Sequence, residues 1–596
     1  MPRKMSTEKP KNAKRSFKLF ISSLRPFKFA IIFPLVFAVV ANVLNLFGPK
    51  ILGNMTNSAV DSLSTTGSLD LATIKTSAIQ LIAIYLLVAV LSYFESFLLA
   101  RATAFYTKNL REKIIEKIAR LPISYFDQHK FGDTLSILSN DVDVLAGSLS
   151  EEIVQIVTNL TTIIGCLVMM FVISPLLALI ALIVIPFSTV LISRIAKPAQ
   201  KYFSAERKSL GALNAHIEED YSGHLIIKSN SHEDKSFETF KAENEKLFKN
   251  SWRANFLGGL AFPIVHFFTN LGYVGICILG GNMVISGKLL IGNIQAFIQY
   301  LSRFNQPLSN LSQIVATIEQ TLAASERIFT FLAEPEEAPD LIPAKEIAKI
   351  KGDVEFHDIC FSYDKKQPII KHFSAKIKAG ERVAIVGPTG AGKTTIVNLL
   401  MRFYDPDSGF ITIDGVPTKE MKRSSVRALF GMVLQDTWLF SGTIRDNLSY
   451  GSPNASLAKI RQATSISGID HLIESFKNGY DSEISEDSDN ISAGEKQLLT
   501  IARAMTENPP MMILDEATSN VDTQTERLIQ DAFNKLTEGR TSFVIAHRLS
   551  TTRDADLILV MKNGNIVEQG THDDLLKKNG FYAELYNSQF SGDIVE

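Results

Sequence analysis

The chain has 596 residues, 46% apolar and 21% charged, and its mean hydropathy is positive, +0.12. That balance excludes disorder, collagen-like repeats and low complexity. The 61 basic and 62 acidic residues leave a net charge of −1, so no global basic field points to nucleic acid. Cys166, Cys277 and Cys360 are too few and too scattered for a disulfide scaffold or a zinc cluster. The long apolar runs all precede about residue 320, so a membrane half is followed by a soluble half.

Residues 1–28 form a basic arm and elbow, with Arg3, Lys4, Lys9, Lys11, Lys14, Arg15 and Lys18. The next apolar run is longer than a signal h-region and no A-x-A-like site follows it, so it reads as a retained span. Over residues 29–333 six segments approach the ~20 residues that cross a bilayer: Phe29–Gly48, Ala78–Leu99, Ile153–Ile173, Leu176–Ile195, Phe256–Ile285 and Ile291–Leu311. The basic arm places the N-terminus in the cytoplasm, and six crossings return the soluble half to the same side. No targeting segment is evident, and the expected location is a plasma membrane of bacterial type. Ser174-Pro175 makes a tight outer hairpin, whereas 101–152 and 193–253 are long, charged and helix-patterned, as continuations of membrane helices would be.

Polar residues inside these spans either hydrogen-bond between helices or line a wet cavity. The last span places Gln295, Gln299 and Arg303 on one helical stripe, the fifth His266 and Asn270, and the first Asn42 and Asn45. Arg303 favours a substrate cavity at these seven positions. Phe297, Tyr300 and Phe304 read as packing before ligand contacts.

Residues 334–351 form a Pro-broken, charged linker, and 352–596 suffice for one large α/β domain. Gly387-Pro388-Thr389-Gly390-Ala391-Gly392-Lys393-Thr394 matches the P-loop pattern G-x-x-x-x-G-K-[ST], with an apolar strand before it and a helix from Thr395 after it. Its glycines let backbone N–H groups turn inward as an anion nest at a helix N-terminus. Lys393 supplies charge for the β- and γ-phosphates and Thr394 a hydroxyl for Mg²⁺; Thr395 completes the set of candidate ATP contacts. Met511-Met-Ile-Leu-Asp515-Glu516 is a buried strand ending in two carboxylates. Behind a P-loop, Asp515 would approach Mg²⁺ and Glu516 would polarise the attacking water as general base.

Between these motifs, Asn490-Ile-Ser-Ala-Gly-Glu-Lys-Gln497 resembles the LSGGQ signature of ABC transporters, placed just ahead of the Asp-Glu strand as that family requires. Tyr363 resembles the aromatic that stacks on adenine, and Gln435 the Q-loop residue, which implies a Mg²⁺ contact. Ser519-Asn-Val-Asp522 resembles the D-loop, and His547 the switch histidine at the γ-phosphate. Phe126-Asp127 with Gly132-Asp133, and Glu219-Asp-Tyr-Ser-Gly223, are similar to the two coupling regions of type IV exporters. The resemblance implies an all-α six-helix transmembrane domain followed by an α/β P-loop ABC ATPase domain. It further implies a half-transporter that works as a dimer with ATP and Mg²⁺, each ATP lying between one subunit's P-loop and the other's Ser492 and Gly494. ATP hydrolysis would drive alternating access and export of amphiphilic drug or lipid-like molecules across the bilayer.

The signature departs from the family pattern at Ala493 and Glu495, and Ser485, Asp487 and Ser488 replace the Gly, Arg and Gly of the preceding TEVGERG-like stretch. A carboxylate at 495 is expected to face the partner's ATP phosphates and weaken that site. With the chain's own Walker side intact, this resembles the catalytic-Glu-bearing member of a heterodimer with one degenerate ATP site. A homodimeric exporter of lipid or peptide is the alternative. From another class comes an ATP-gated channel or regulator with little turnover, which the presence of Glu516 disfavours.

Overall fold

Apolar runs of this length satisfy their backbone in lipid by forming helices. The computed structural model describes residues 12–347, 350–365, 367–435, 437–485, 491–516, 523–546 and 552–591. Its longer helices in the first half are α1 (Ala13–Leu24), α2 (Lys28–Thr66), α3 (Leu71–Arg120), α4 (Ile153–Ile173), α5 (Pro175–Ser222), α6 (Glu233–Gly259), α7 (Ala261–Ile285) and α8 (Ile291–Leu332). Among the described residues, Ala13–Thr66, Leu71–Arg120 and Phe131–Ile173 are long and apolar enough to cross a membrane by length and composition. The 50 residues of α3 span roughly 75 Å at 1.5 Å each, more than twice a hydrocarbon core of ~30 Å. Long helices therefore carry the charged stretches beyond the membrane.

Local chemistry sets the helix ends. Asp70 caps α3 by accepting from the N–H groups of Ala72 (3.0 Å) and Thr73 (3.3 Å). Ser174 is extended and Pro175 opens α5, which makes the hairpin turn. The fifth apolar segment does not form one helix from Phe256: the chain breaks at Leu260, and Ala261-Phe262-Pro263 starts α7. Pro263 lacks an N–H, and a first helical turn is where that loss costs least, although Pro34, Pro49 and Pro307 lie inside α2 and α8. The core of this half gathers Phe297, Tyr300 and Phe304 of α8, all buried, with Cys166 and Met170 of α4 and Ile276 of α7. Where α2 and α8 cross, a Cβ added to Gly53 would lie 2.4 Å from the carbonyl oxygen of Gly292. Arg327 of α8 holds the buried Asp141 with two hydrogen bonds of 2.8 and 2.6 Å.

The second half builds two large sheets, beside a short antiparallel pair of Gly442–Thr443 with Glu483–Ile484. Strands β1 (Val354–Phe361), β2 (Ile370–Ile377), β4 (Ser408–Ile413) and β5 (Val416–Pro417) form an antiparallel sheet in the order β2-β1-β4-β5, with β3 (Arg382–Val386) going to the other sheet. That sheet adds β6 (Phe430–Val433), β7 (Met511–Glu516), β8 (Thr541–Ala546), β9 (Leu557–Lys562) and β10 (Asn565–Gly570), ordered β10-β9-β3-β8-β7-β6. All its neighbours pair parallel except β9 with β10. Strands covered on both faces read as continuous apolar runs, as Arg382-Val-Ala-Ile-Val and Met511-Met-Ile-Leu do. Phe356, Phe373 and Phe543 meet between the two sheets.

The chain divides into two compact units: residues up to Leu121 with His129–Pro335, and Pro122–Gln128 with Glu336 onward. The short helix Ile123–Gln128, placed by sequence within 29–333, thus groups with the second unit. The segment 334–351, placed by sequence as a linker, is anchored from Glu337 to Asp340. Arg427 binds Glu337 at 2.6 Å, and Arg402 and Arg423, both buried, reach Asp340 at 3.5 and 3.3 Å.

Candidate active site

The P-loop leaves β3 and enters α9 (Lys393–Leu400) through backbone that only glycine adopts without strain. Gly390 has φ +81° and Gly392 φ +99°, and a Cβ on Gly392 would come within 2.6 Å of Ile370 Cδ1. Pro388 and Thr389 lie on the exposed outer turn, and Ala391 is buried beneath it. Lys393 Nζ donates to the carbonyls of Gly387 (2.8 Å) and Pro388 (3.1 Å). Burial holds its ammonium below the ordinary lysine range, and the Asp515 carboxylate opposes that fall. Thr394 is exposed at the second helical position, while Thr395 is buried.

Sheet register brings the acids to the same edge. Asp515 of β7 is buried and pairs with Ile545 of β8, and Glu516 pairs with Ala546. On the other side Val433 pairs with Leu514, so Gln435 follows two residues beyond β6 at the carboxyl ends of the strands, where α/β sheets bind ligands. The Glu516 side chain, Asp522 and His547 lie outside the described residues. So do Asp487 and Ser488.

Tyr363 stands edge-on to Phe361 and Tyr404, with ring centroids 4.9 Å away in both cases. Its hydroxyl accepts from Asn398 Nδ2 at 3.0 Å, which ties it to α9. The Tyr404 hydroxyl donates to Asp127; burial first, and then that carboxylate, push its phenol well above the usual range. A cavity of about 760 Å³ opens beside these rings, lined also by Ser124, Asp364 and Lys365. Asn398 and Tyr404 went unread in the sequence, although an amide in the apolar run Ile396-Val-Asn-Leu-Leu was a signal.

Ser492 and Gly494 open α10 (Ala493–Glu507), with Ser492 as N-cap. The structure gives Glu495 a local partner that the sequence reading did not name. Its carboxylate accepts from the Ser492 N–H and hydroxyl, both at 2.8 Å, while Ser492 Oγ accepts from Glu495 N at 3.3 Å. This is a capping box, and the helix N-terminus is the stronger attraction for the acid.

Most of the polar residues expected along a substrate cavity have partners on other helices. Asn42 donates to Thr158 O and Thr162 Oγ1, both at 2.8 Å. Arg303 donates to Asn45 O (2.9 Å) and Oδ1 (3.3 Å), and Gln295 accepts from Thr56 Oγ1. Gln299 is half-buried and Asn270 exposed. The His266 side chain lies outside the described residues.

Residues 31–308 match the ABC transporter transmembrane region, and residues 370–519 match the ABC transporter family. A fatty acid ABC transporter ATP-binding/permease protein of Mycobacterium bovis is 45% identical over 516 residues, 87% of this chain and 82% of that one. The chain is an ABC transporter. An ATP-dependent lipid A-core flippase of Syntrophus aciditrophicus is 34% identical to the transporter, over 87% of this chain and 86% of that protein. The structure of a bacterial Atm1-family ABC exporter with ATP bound aligns with a TM-score of 0.71 and 28% identity, covering 95% of the transporter and 98% of that chain. The transporter is therefore an exporter half with one membrane domain and one ATPase domain. It is a multi-pass plasma-membrane protein whose cytoplasmic domain binds ATP and hydrolyses it to drive transport.

Proposed function

We propose that this exporter moves lipid-like amphiphiles. The observation that carries the reading is the interhelical bonding of Asn42, Asn45, Gln295 and Arg303, because polar groups spent on other helices leave mainly apolar walls for a cargo. The similarity to a fatty acid transporter and a lipid A-core flippase points the same way.

ATP would be held by the nest from Gly387 to Thr395, with adenine stacked on Tyr363. The hydroxyl of Thr394, the amide oxygen of Gln435 and the carboxylate of Asp515 are the hard oxygen donors that Mg²⁺ takes, and Asp515 is already buried opposite Lys393. Bound there, Mg²⁺ would neutralise charge on the β- and γ-phosphate oxygens. Glu516 takes a proton from the attacking water, His547 contacts the γ-phosphate, and Asp522 borders the partner. Ser492 and Gly494 serve the partner's nucleotide, so two half-transporters are needed. Of the features favouring an unlike partner, Glu495 loses its weight because a cap would place glutamine the same way; Ala493 and the altered 485–488 stretch keep theirs.

The test is reconstitution of the chain, alone and with candidate half-transporter partners, in proteoliposomes. ATP-dependent translocation of a fluorescent fatty acid, exceeding that of a cationic drug, is the expected result. Transport of the drug but no acylated probe refutes the lipid-like cargo, and robust transport by the chain alone makes it a homodimer.

A further inference from the structure

The start of α2 and the cytoplasmic end of α3 enclose a groove of about 790 Å³. Phe29, Phe33 and Phe37 line it from α2, and Phe105, Arg101 and Lys108 from α3. Within it Phe27 meets Phe105 edge to face, with centroids 5.7 Å apart. The rings at its mouth are exposed. The two cations stand seven residues apart on one face of α3, about 10 Å along its axis. Arg101 follows directly on the apolar segment that ends at Leu99, so the groove straddles the boundary between hydrocarbon and headgroups. The basic arm puts that boundary on the cytoplasmic side.

Acyl chains gain nothing by leaving other lipids for an apolar protein face, because lipid tails are as apolar as leucine. A preference among lipids must come from the headgroup. Here the charges are unbalanced in favour of an anion. Arg101 forms no ion pair among the described residues. Lys108 lies 3.7 Å from Glu112, but both side chains are largely exposed, where such a pair is weak. Arg111, one turn further on, is already taken by Asp143 at 2.6 Å. The acid on the membrane side, Glu95, lies six residues before Arg101 and does not line the groove.

We propose that this groove is a binding site for one anionic phospholipid of the cytoplasmic leaflet. Its phosphodiester pairs with the Arg101 guanidinium, its headgroup extends towards Lys108, and its acyl chains lie along the phenylalanines. The groove lining includes none of the seven cavity candidates, and the proposal does not depend on the identity of the cargo.

The experiment titrates the purified full-length transporter with phosphatidylglycerol or phosphatidylcholine of identical acyl chains and counts bound lipids by native mass spectrometry. Wild type should retain one phosphatidylglycerol per chain in clear preference to phosphatidylcholine. Replacing both cations (Arg101→Gln with Lys108→Gln) should weaken phosphatidylglycerol binding by about five-fold per cation and leave phosphatidylcholine unchanged. Ala104→Trp, which fills the groove but keeps both charges, should weaken it comparably. The control pair Lys14→Gln with Lys18→Gln, exposed on α1 and outside the groove, should change it by less than about two-fold, which is well under the contribution of one basic residue. Basal ATPase of each variant shows that it is folded. Equal binding of the two lipids by wild type, an equal loss in the control pair, or no effect of Ala104→Trp would overturn the proposal.

Discussion

Glu495 is the residue at which the electrostatics of the signature can be measured. Substitution by glutamine keeps an oxygen that can accept from Ser492 N, now 2.8 Å from the carboxylate, and removes only the charge. At a helix N-terminus that charge is worth about 0.3–1 kcal/mol. Glu495→Ala, which deletes the reciprocal bond altogether, should cost about 1 kcal/mol and lower the melting temperature by roughly 2–4 °C for a domain of this size. A carboxylate whose charge the cap left uncompensated would behave differently. At ~6 Å and an effective dielectric of ~20 it would repel each phosphate charge by about 3 kcal/mol. Relief of that repulsion would raise nucleotide affinity or turnover by about a hundred-fold. Because the two donors of Ser492 and the helix N-terminus offset the charge of the acid, steady-state ATPase of Glu495→Gln in nanodiscs should stay within about three-fold of wild type, a change of only ~0.6 kcal/mol. A gain of ten-fold or more in turnover, or a similar fall in KM for ATP, would refute the capping role.

Glu516→Gln should cut ATP turnover by about 10²–10⁴-fold while fluorescent-nucleotide binding persists; near wild-type turnover would remove Glu516 as the base. Asn398→Ala releases the Tyr363 hydroxyl and should raise KM for ATP by about two- to ten-fold, the worth of one hydrogen bond, with kcat unchanged in the same ATPase assay. Gly53→Ala drives a methyl against the Gly292 backbone and should destabilise by about 1–3 kcal/mol in thermal melts. Gly132→Ala, which meets nothing within 4 Å, should not. Arg303→Ala should lower the melting temperature through lost bonds to Asn45, each worth about 0.6–1.7 kcal/mol in a membrane. Gln299→Ala should instead change which amphiphiles stimulate ATPase; a pure stability loss would assign Gln299 to packing.

Residues with strong local constraints were readable from sequence. A P-loop requires glycines where Gly390 and Gly392 take positive φ, and strands covered on both faces leave unbroken apolar runs such as 511–514. Among the described residues, three membrane-length helices followed from length and hydropathy, but the break before Pro263 was hidden because apolar residues continue on both sides of it. Pairings between distant segments were not readable. Asn42 finds Thr162, and Arg303 finds Asn45, only after the helices have packed. Gly53 and Gly292 look unremarkable until two backbones cross there. Glu495 was read incompletely for another reason: Ser492-x-x-Glu495 is a local capping pattern, and reading it only as a change in a signature motif obscured the nearer partner.

Lys393 does not wait as a free cation. With its ammonium on the carbonyls of Gly387 and Pro388, the loop is braced from within. A phosphate then enters by exchange, replacing carbonyl oxygens around a charge whose desolvation cost has been met during folding. Little ordering entropy is left to spend at that moment, so association is governed by access to the loop more than by its rearrangement. The same internal brace means that losing the lysine removes more than a phosphate contact: the loop would also lose a strut between its own carbonyls and the helix that follows.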